Sequence, residues 1–330
     1  MAILVTGGAG YVGSHMSHAL VDRGEKVVVI DDLSTGHKEL VPEAAKLVQG
    51  DIADKKLIAK LIADEGIVAI AHFAGSIVVS DSVSDPLTYY ENNTVRSRAL
   101  IEAAVEAKIQ AFLFSSTAAV YGEPGADILD EGQNLQPVSP YGWSKLMTEV
   151  MLRDSATAYG LKYAALRYFN VAGADPKGRT GETREHATHL IEIAAQAATG
   201  RRNRMQIFGT DYPTPDGTCL RDYIHVTDLI DAHVKALMHL LNGGENFVAN
   251  CGYGHGFSVL EVVNAIKRVS GVDFRVDLAE RRPGDPPSLV ADSSRVRALL
   301  GWEPQYDDLD TIVKHALAWE DQLVKGRVKL

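Results

Sequence analysis

Three glycines set at intervals of three, Gly7, Gly10 and Gly13, stand between the apolar run Ile3-Leu4-Val5 and a helical pattern over Val12 to Arg23. A strand that turns this tightly into a helix leaves the first helical N–H groups unpaired and pointing at the turn, where they favour an anion. In such a turn the first glycine takes the sharp bend, the second lets a diphosphate approach the backbone, and the third lets helix and strand pack closely. The loop therefore predicts a dinucleotide site, with Tyr11 and Val12 counted among its contacts. Asp31 follows Gly13 by 18 residues, at the end of the second apolar run, Val27 to Ile30. A carboxylate there accepts ribose hydroxyls and repels a 2′-phosphate, and Asp32 adds to that effect, so the expected cofactor is NAD rather than NADP. Asp51 and Ile52, after a third short apolar run, are placed to touch the adenine. Phe73, Ala74 and Gly75, after the run Ile67 to Phe73, let the backbone approach the same cofactor.

Further strands are expected at Ala111 to Ser115, Tyr163 to Arg167 and Phe247 to Asn250. Helices are expected at about Pro86 to Ala107, Pro140 to Tyr159, His189 to Thr199 and Val226 to Leu241. Continuous apolar strands alternating with helices imply a parallel sheet covered on both faces. The fold class is α/β: a doubly wound, Rossmann-type parallel sheet with a smaller C-terminal lobe. We expect a dinucleotide domain over residues 1–170, rejoined by the chain at about 225–250, and a second lobe made mainly of residues 171–330. The chain has 330 residues and a net charge of −10, and its basic run Arg201, Arg202, Arg204 is short, which argues against a nucleic-acid partner. Cys219 and Cys251 have no CxxC spacing, and no targeting segment or membrane span is evident, so a cytoplasmic setting is expected. His186 and His189 lie three apart with no third ligand at metal-site spacing, so no metal is expected.

Tyr141 and Lys145 form a Tyr-x-x-x-Lys pair, and residues four apart share a helix face. A phenol with an ordinary pKa of about 10 becomes a useful base only when a cation stabilises its phenolate, the part expected of Lys145. Ser115, Ser116 and Thr117 end the fifth strand and bring hydroxyls to the carboxyl edge of the sheet, where ligands bind in such folds. Together with the glycine loop these residues point to nicotinamide chemistry on an alcohol or ketone.

These motifs resemble the extended short-chain dehydrogenase/reductases, and within them the family that epimerises UDP-galactose and UDP-glucose at carbon 4. The resemblance runs through GGAGYVGSH, FAGSIVVSDSVSDPLTYYENN, FSSTAAVYGEP, SPYGWSKLMTE, LRYFNVAGA, FGTDYPTPDGTCLRDYIHVTDL and RRPGDPP. It implies that Tyr141 is the general base and acid on the sugar 4-hydroxyl. Lys145 would bind the nicotinamide ribose and lower the phenol pKa, and Thr117 would hydrogen-bond the 4-oxygen, with Ser116 as a second candidate. Asn92 and Tyr168 would face the cofactor. Phe169, Asn170, His189, Leu190, Gln206, Phe208, Arg221, Arg282 and Asp285 would hold the UDP-sugar, and a homodimer would form through the helices near Pro86 to Ala107 and Tyr141 to Tyr159.

Ile77 stands where the family often has a lysine that contacts the cofactor. His189 replaces an asparagine found in some members, and Leu289 replaces the residue that limits sugar size, so plain hexoses are expected to be preferred over N-acetylated sugars. Other readings are epimerisation of a different UDP-sugar, net dehydrogenation, or a silent NAD-sensing subunit. A nucleotide-sugar dehydratase would carry an Asp-Glu pair after the strand-five threonine, where this chain has Ala118 and Ala119.

Overall fold

The computed structural model describes residues 1–124, 128–185, 187–282, 285–328 and 330. Seven parallel strands form the central sheet: β1 (Ala2–Thr6), β2 (Lys26–Asp31), β3 (Lys46–Gln49), β4 (Ile67–His72), β5 (Ala111–Thr117), β6 (Tyr163–Tyr168) and β7 (Phe247–Cys251). Their order is β7-β6-β5-β4-β1-β2-β3. All residues of β1 and β5 are buried, because helices cover both faces of the sheet. Alternation along the strands splits the core in two. Ile3, Val5, Val27 and Val29 pack on one side, and Leu4, Val28 and Ile30 on the other.

Helix α1 (Tyr11–Asp22) follows β1, while α2 (Lys55–Glu65), α3 (Arg96–Glu106) and α4 (Pro140–Tyr159) pack together on the opposite face. The chain order reverses between β1 and β4, so the crevice at their carboxyl ends is the place where such sheets bind ligands. Helix α4 starts where Ser139 Oγ accepts from Gly142 N with Pro140 in the first turn, and stops at Gly160 in the left-handed region, φ 73°. The single helix expected over Pro86 to Ala107 is instead three segments. An α-turn at Pro86–Tyr89 leads into a wider π-type stretch at Tyr90–Val95, and α3 follows. Asn93 lies in the widened stretch, bonding Ser76 N, Ser76 O and Ser144 Oγ, which ties α4 to the loop after β4.

In the smaller lobe, α5 (Leu190–Ala198), α7 (Val259–Ser270) and α8 (Leu309–Val324) pack on one another, while α6 (Val226–Leu241) joins α1 on the main sheet. The chain passes between the lobes more often than the single return expected. Ile128–Leu129, from the first half, pairs with Ser288–Ala291, and the helix Ser294–Leu300 packs back on α6 and β7. Arg201 and Arg204 of the basic run are ion-paired with Glu320 and Asp277. Among the described residues, no helix is long and apolar enough to cross a membrane.

Burial pulls the imidazoles of His72 and His225 down to about 3 and those of His15 and His233 to about 4. An unfolded chain holds its histidines near 6.5, so below that pH the unfolded state takes up protons that the folded state refuses. Stability is therefore intact above about pH 6.5 and falls as the pH drops toward those lower values. His72 Nδ1 and Nε2 bond Thr6 and Ser97 in a fully buried setting. The urea midpoint should fall between pH 7 and pH 5, and His72→Gln should remove about 2 kcal/mol of that fall. An equal pH dependence in the variant would contradict this.

Candidate active site

The turn after β1 is held by contacts that admit no side chain. A Cβ on Gly13 would lie 2.1 Å from Gly7 O, and one on Gly7 would lie 2.6 Å from Ala74 N. Gly7 also takes φ 67°. Gly10 differs, with ordinary extended φ of −86° and only Gly7 O near its missing Cβ, at 3.4 Å. The fold does not need a glycine there; the space above it does. That space is a cavity of about 490 Å³ lined by Gly7, Gly10, Tyr11, Val12, Gly13, Asp31, Asp32, Asp51, Ile52, Phe73, Ala74, Gly75, Asn92 and Tyr168. Every residue expected at the cofactor is in this wall except the Tyr141–Lys145 pair. Helix α1 has no acidic residue in its first turn, so its N-terminus is free to meet an anion. A long cavity, a bare helix end and an open second glycine together fit a dinucleotide.

At one end of the cavity Asp31 is buried, with Oδ2 accepting from Ala9 N and Oδ1 from Leu33 N, each at 2.9 Å. Burial raises its pKa against these two bonds. The second bond pins Leu33 in the left-handed region, φ 60°, a strained conformation for leucine. A cation that the sequence did not announce also lies here. Arg96, at the start of α3, is 3.5 Å from Asp51 and 3.8 Å from Asp32. Three acids against one base still leave this end negative, which disfavours a 2′-phosphate.

Outside this wall, Tyr141 and Lys145 are both buried on α4. Burial pushes the Tyr141 phenol well above its ordinary range, Tyr168 adds to the rise, and a hydrogen bond with Thr117 opposes it. The expected effect of Lys145 on that phenol is not what this state shows. The Lys145 ammonium instead donates to Ser115 O at 2.7 Å, with Nζ 4.7 Å from the centre of the Phe114 ring, and burial pulls its pKa down to about 8 while Glu149 opposes the fall. Ser116 also departs from expectation. Its side chain is turned to the other face of β5, where it donates to Glu149 Oε1, and Glu149 pairs with Arg167 at 2.6 Å. Neighbouring strand residues face opposite ways, so Ser115 and not Ser116 joins the cavity wall, bonded to the Tyr168 hydroxyl.

The residues expected at the UDP-sugar are spread over several places. Asn170, His189 and Leu190 line a narrow cleft with Tyr11 and Tyr223. Burial holds the His189 imidazole below its usual range, so at pH 7 it is neutral. Arg282 stacks on Phe208, 3.8 Å from the ring centre, and Arg221 Nη2 is 3.6 Å from Asp285. Gln206 is exposed on the same face of its strand as Phe208. Leu289 is packed on an apolar cluster with Ala118, Val120, Tyr121 and Phe169. His186 and part of the Arg281 to Pro287 loop lie outside the described residues.

Residues 3–252 match the model of the NAD dependent epimerase/dehydratase family, and the chain belongs to that family. It is 56% identical over 321 residues to the UDP-glucose 4-epimerase of Azospirillum brasilense, covering 97% of this chain and 92% of that protein. The crystal structure of UDP-glucose 4-epimerase from Brucella ovis in complex with NAD superposes with a TM-score of 0.94 at 45% identity, covering 96% of this chain and 97% of that one. The enzyme from Bifidobacterium longum in complex with NAD+ and UDP gives 0.92 at 34% identity, covering 99% and 100%.

The two glycine environments predict opposite outcomes. Gly13→Ala should lower the melting temperature, because its Cβ meets a backbone carbonyl. Gly10→Ala should leave melting of the cofactor-free protein within a degree or two but reduce the NAD that copurifies. Equal losses of stability in both variants would count against this division of labour.

Proposed function

We propose that this protein interconverts UDP-galactose and UDP-glucose by inverting carbon 4 of the sugar, with NAD held in the larger cavity. The observation that carries this reading is the buried Tyr141 at the start of α4, within electrostatic reach of Thr117 and Tyr168 and one helical turn from Lys145. NAD supplies the acceptor and donor of hydride at carbon 4. Tyr141 takes the proton of the 4-hydroxyl as the 4-keto sugar forms and returns it afterwards, while Thr117 orients the oxygen. Lys145 is the cation set on the same face of α4, to hold the cofactor ribose and favour the phenolate.

The sugar must turn over between the two halves of the reaction. Polar anchors suit the nucleotide and apolar walls suit the sugar. Arg221, Arg282 and Phe208 offer charge and a ring to the uridine diphosphate, and guanidinium forks match phosphate oxygens. Ala118, Phe169 and Leu289 present few hydrogen-bond partners to a rotating ring. Binding energy from the nucleotide thus retains an intermediate whose reactive part is free to rotate. Dehydration would need an added acid and base, and Ala118 and Ala119, in the short turn after Thr117, provide neither. Both cysteines are buried and unpaired, which fits the cytoplasmic setting proposed for the reaction.

Purified protein should convert UDP-galactose to UDP-glucose in a coupled assay without added NAD. Tyr141→Phe should lower kcat by about a hundredfold or more while UDP still binds. No conversion by the wild type with NAD supplied would overturn the reading. In the same assay Leu289 is expected to make UDP-N-acetylgalactosamine the poorer substrate by kcat/KM, and equal values would remove that role.

We further propose a homodimer. Val83, Leu87, Val95, Trp143 and Met147 are exposed on neighbouring elements, Val79–Val95 and α4, where Trp143 would otherwise be expected to pack inside. Light scattering should give twice the chain mass, with Leu87→Asp reducing it to one; a wild-type monomer at assay concentration would refute the dimer.

A further inference from the structure

Arg184 belongs to none of the motifs, yet its side chain lines the large cavity. It lies in the loop Asp175 to Arg184, which the sequence marks only by its polar composition. Glu182, itself buried, grips one edge of the guanidinium: Oε2 accepts from Nη2 at 2.9 Å and Oε1 from Nε at 3.2 Å, while Oε1 also accepts from Arg184 N at 3.1 Å. The side chain is thereby aimed, and its Nη1 has no hydrogen bond to any described residue. Burial raises the phenols of Tyr11, Tyr89, Tyr141 and Tyr168, and Arg184 is a cation opposing that rise at each of them. These rings come from the start of α1, the segment before α3, the start of α4 and the end of β6, so the charge acts where all four elements converge.

Two cations line this cavity among the described residues, Arg96 and Arg184. Arg96 is shared between two carboxylates at the adenosine end. Arg184 has one carboxylate and a free donor, and it lines the same cavity as Gly7, Gly10 and Gly13. The wall position Ile77 carries no charge. Arg184 is not itself in the lining of the narrow cleft of Asn170 and His189, but its partner Glu182 is, and its charge reaches His189, so the two sites adjoin and the measurement must tell them apart.

We propose that Arg184 is the side-chain cation that clamps the diphosphate of the bound dinucleotide, with Glu182 as its positioning residue. The diphosphate would lie between the bare N-terminus of α1 and the Nη1 edge of the guanidinium. This rests on NAD being the occupant of the cavity, and it is read from retention rather than from turnover.

The test uses the purified holoenzyme. NAD release is followed by exchange against labelled NAD, in wild type, Arg184→Gln and Arg184→Lys, with thermal melts as a check on folding. A lost charge-assisted bond corresponds to release roughly ten- to a hundredfold faster in Arg184→Gln, with Arg184→Lys between the two. At saturating NAD the effect on kcat should be smaller than the effect on release, and the KM for UDP-galactose should not move. Unchanged release in both folded variants would overturn the proposal. A rise confined to the KM for UDP-galactose would also overturn it, by assigning Arg184 to the substrate diphosphate. So would an altered pH profile of kcat with unchanged release, by assigning it to the Tyr141 phenolate. A wild-type protein that retained NAD but did not epimerise would defeat the functional reading while leaving this measurement intact.

Discussion

The Glu149–Arg167 ion pair, sealed between α4 and the sheet, holds the reactive helix where it is. Both side chains are about 5% exposed, and the pair is bidentate in character, with Nε and Nη2 of Arg167 meeting both carboxylate oxygens. Breaking such a pair by removing one partner leaves an uncompensated buried charge and costs about 3–5 kcal/mol. The same carboxylate accepts from Ser116 and supports the ammonium of Lys145, one turn away, against the pull of burial. Arg167 continues the network to the Tyr121 hydroxyl, Tyr121 to Asn250, and Asn250 to Leu129 O. One carboxylate thus opposes the effect of burial on Lys145 and, through Arg167, links the main sheet to a strand of the smaller lobe.

Net charge and local charge tell different stories in this molecule. At −10 the chain would repel polyanions at long range, but screening confines that effect to about a Debye length of roughly 8–10 Å. Inside the crevice the relevant charges are few and directed: Arg96 against two aspartates, Arg184 against one glutamate, and the N-terminus of α1 with no acid in its first turn. In the function proposed above, these local arrangements are what would recognise nucleotide ligands.

The fold was open to sequence reasoning because its signals are local. Gly7, Gly10 and Gly13 mark one turn, and the runs Ile3 to Val5 and Ala111 to Ser115 are apolar throughout because both faces of their strands are covered. The residues expected at the cofactor, from Gly7 to Asn92 and Tyr168, do line one cavity, while Tyr141 and Lys145 do not. The errors arise where tertiary contacts decide. Ser115 and Ser116 are chemically alike, and only the side of β5 that meets α4 separates them, although strand alternation from Thr117 could have indicated Ser115. Arg96 and Arg184 belong to no spacing rule; each reaches the cavity because a helix start or a loop is folded over it. The wide turn at Tyr90–Val95 preserves a helical pattern in the sequence while changing how Asn92 and Asn93 present their amides.

The interleaving of the two lobes bears on how ligands come and go. With Ile128–Leu129 embedded in the smaller lobe's sheet and Ser294–Leu300 packed back against the larger one, the halves are stitched by several covalent passages rather than joined by one linker. A jaw hinged at one point can gape; a jaw laced across its width cannot. Such lacing favours exchange of a long ligand through the individual loops over the crevice rather than through a swing of one lobe. For a reaction that returns its hydride within the same turnover, a cleft laced in this way would suit a dinucleotide that stays as a resident part of the protein rather than visiting as a reagent.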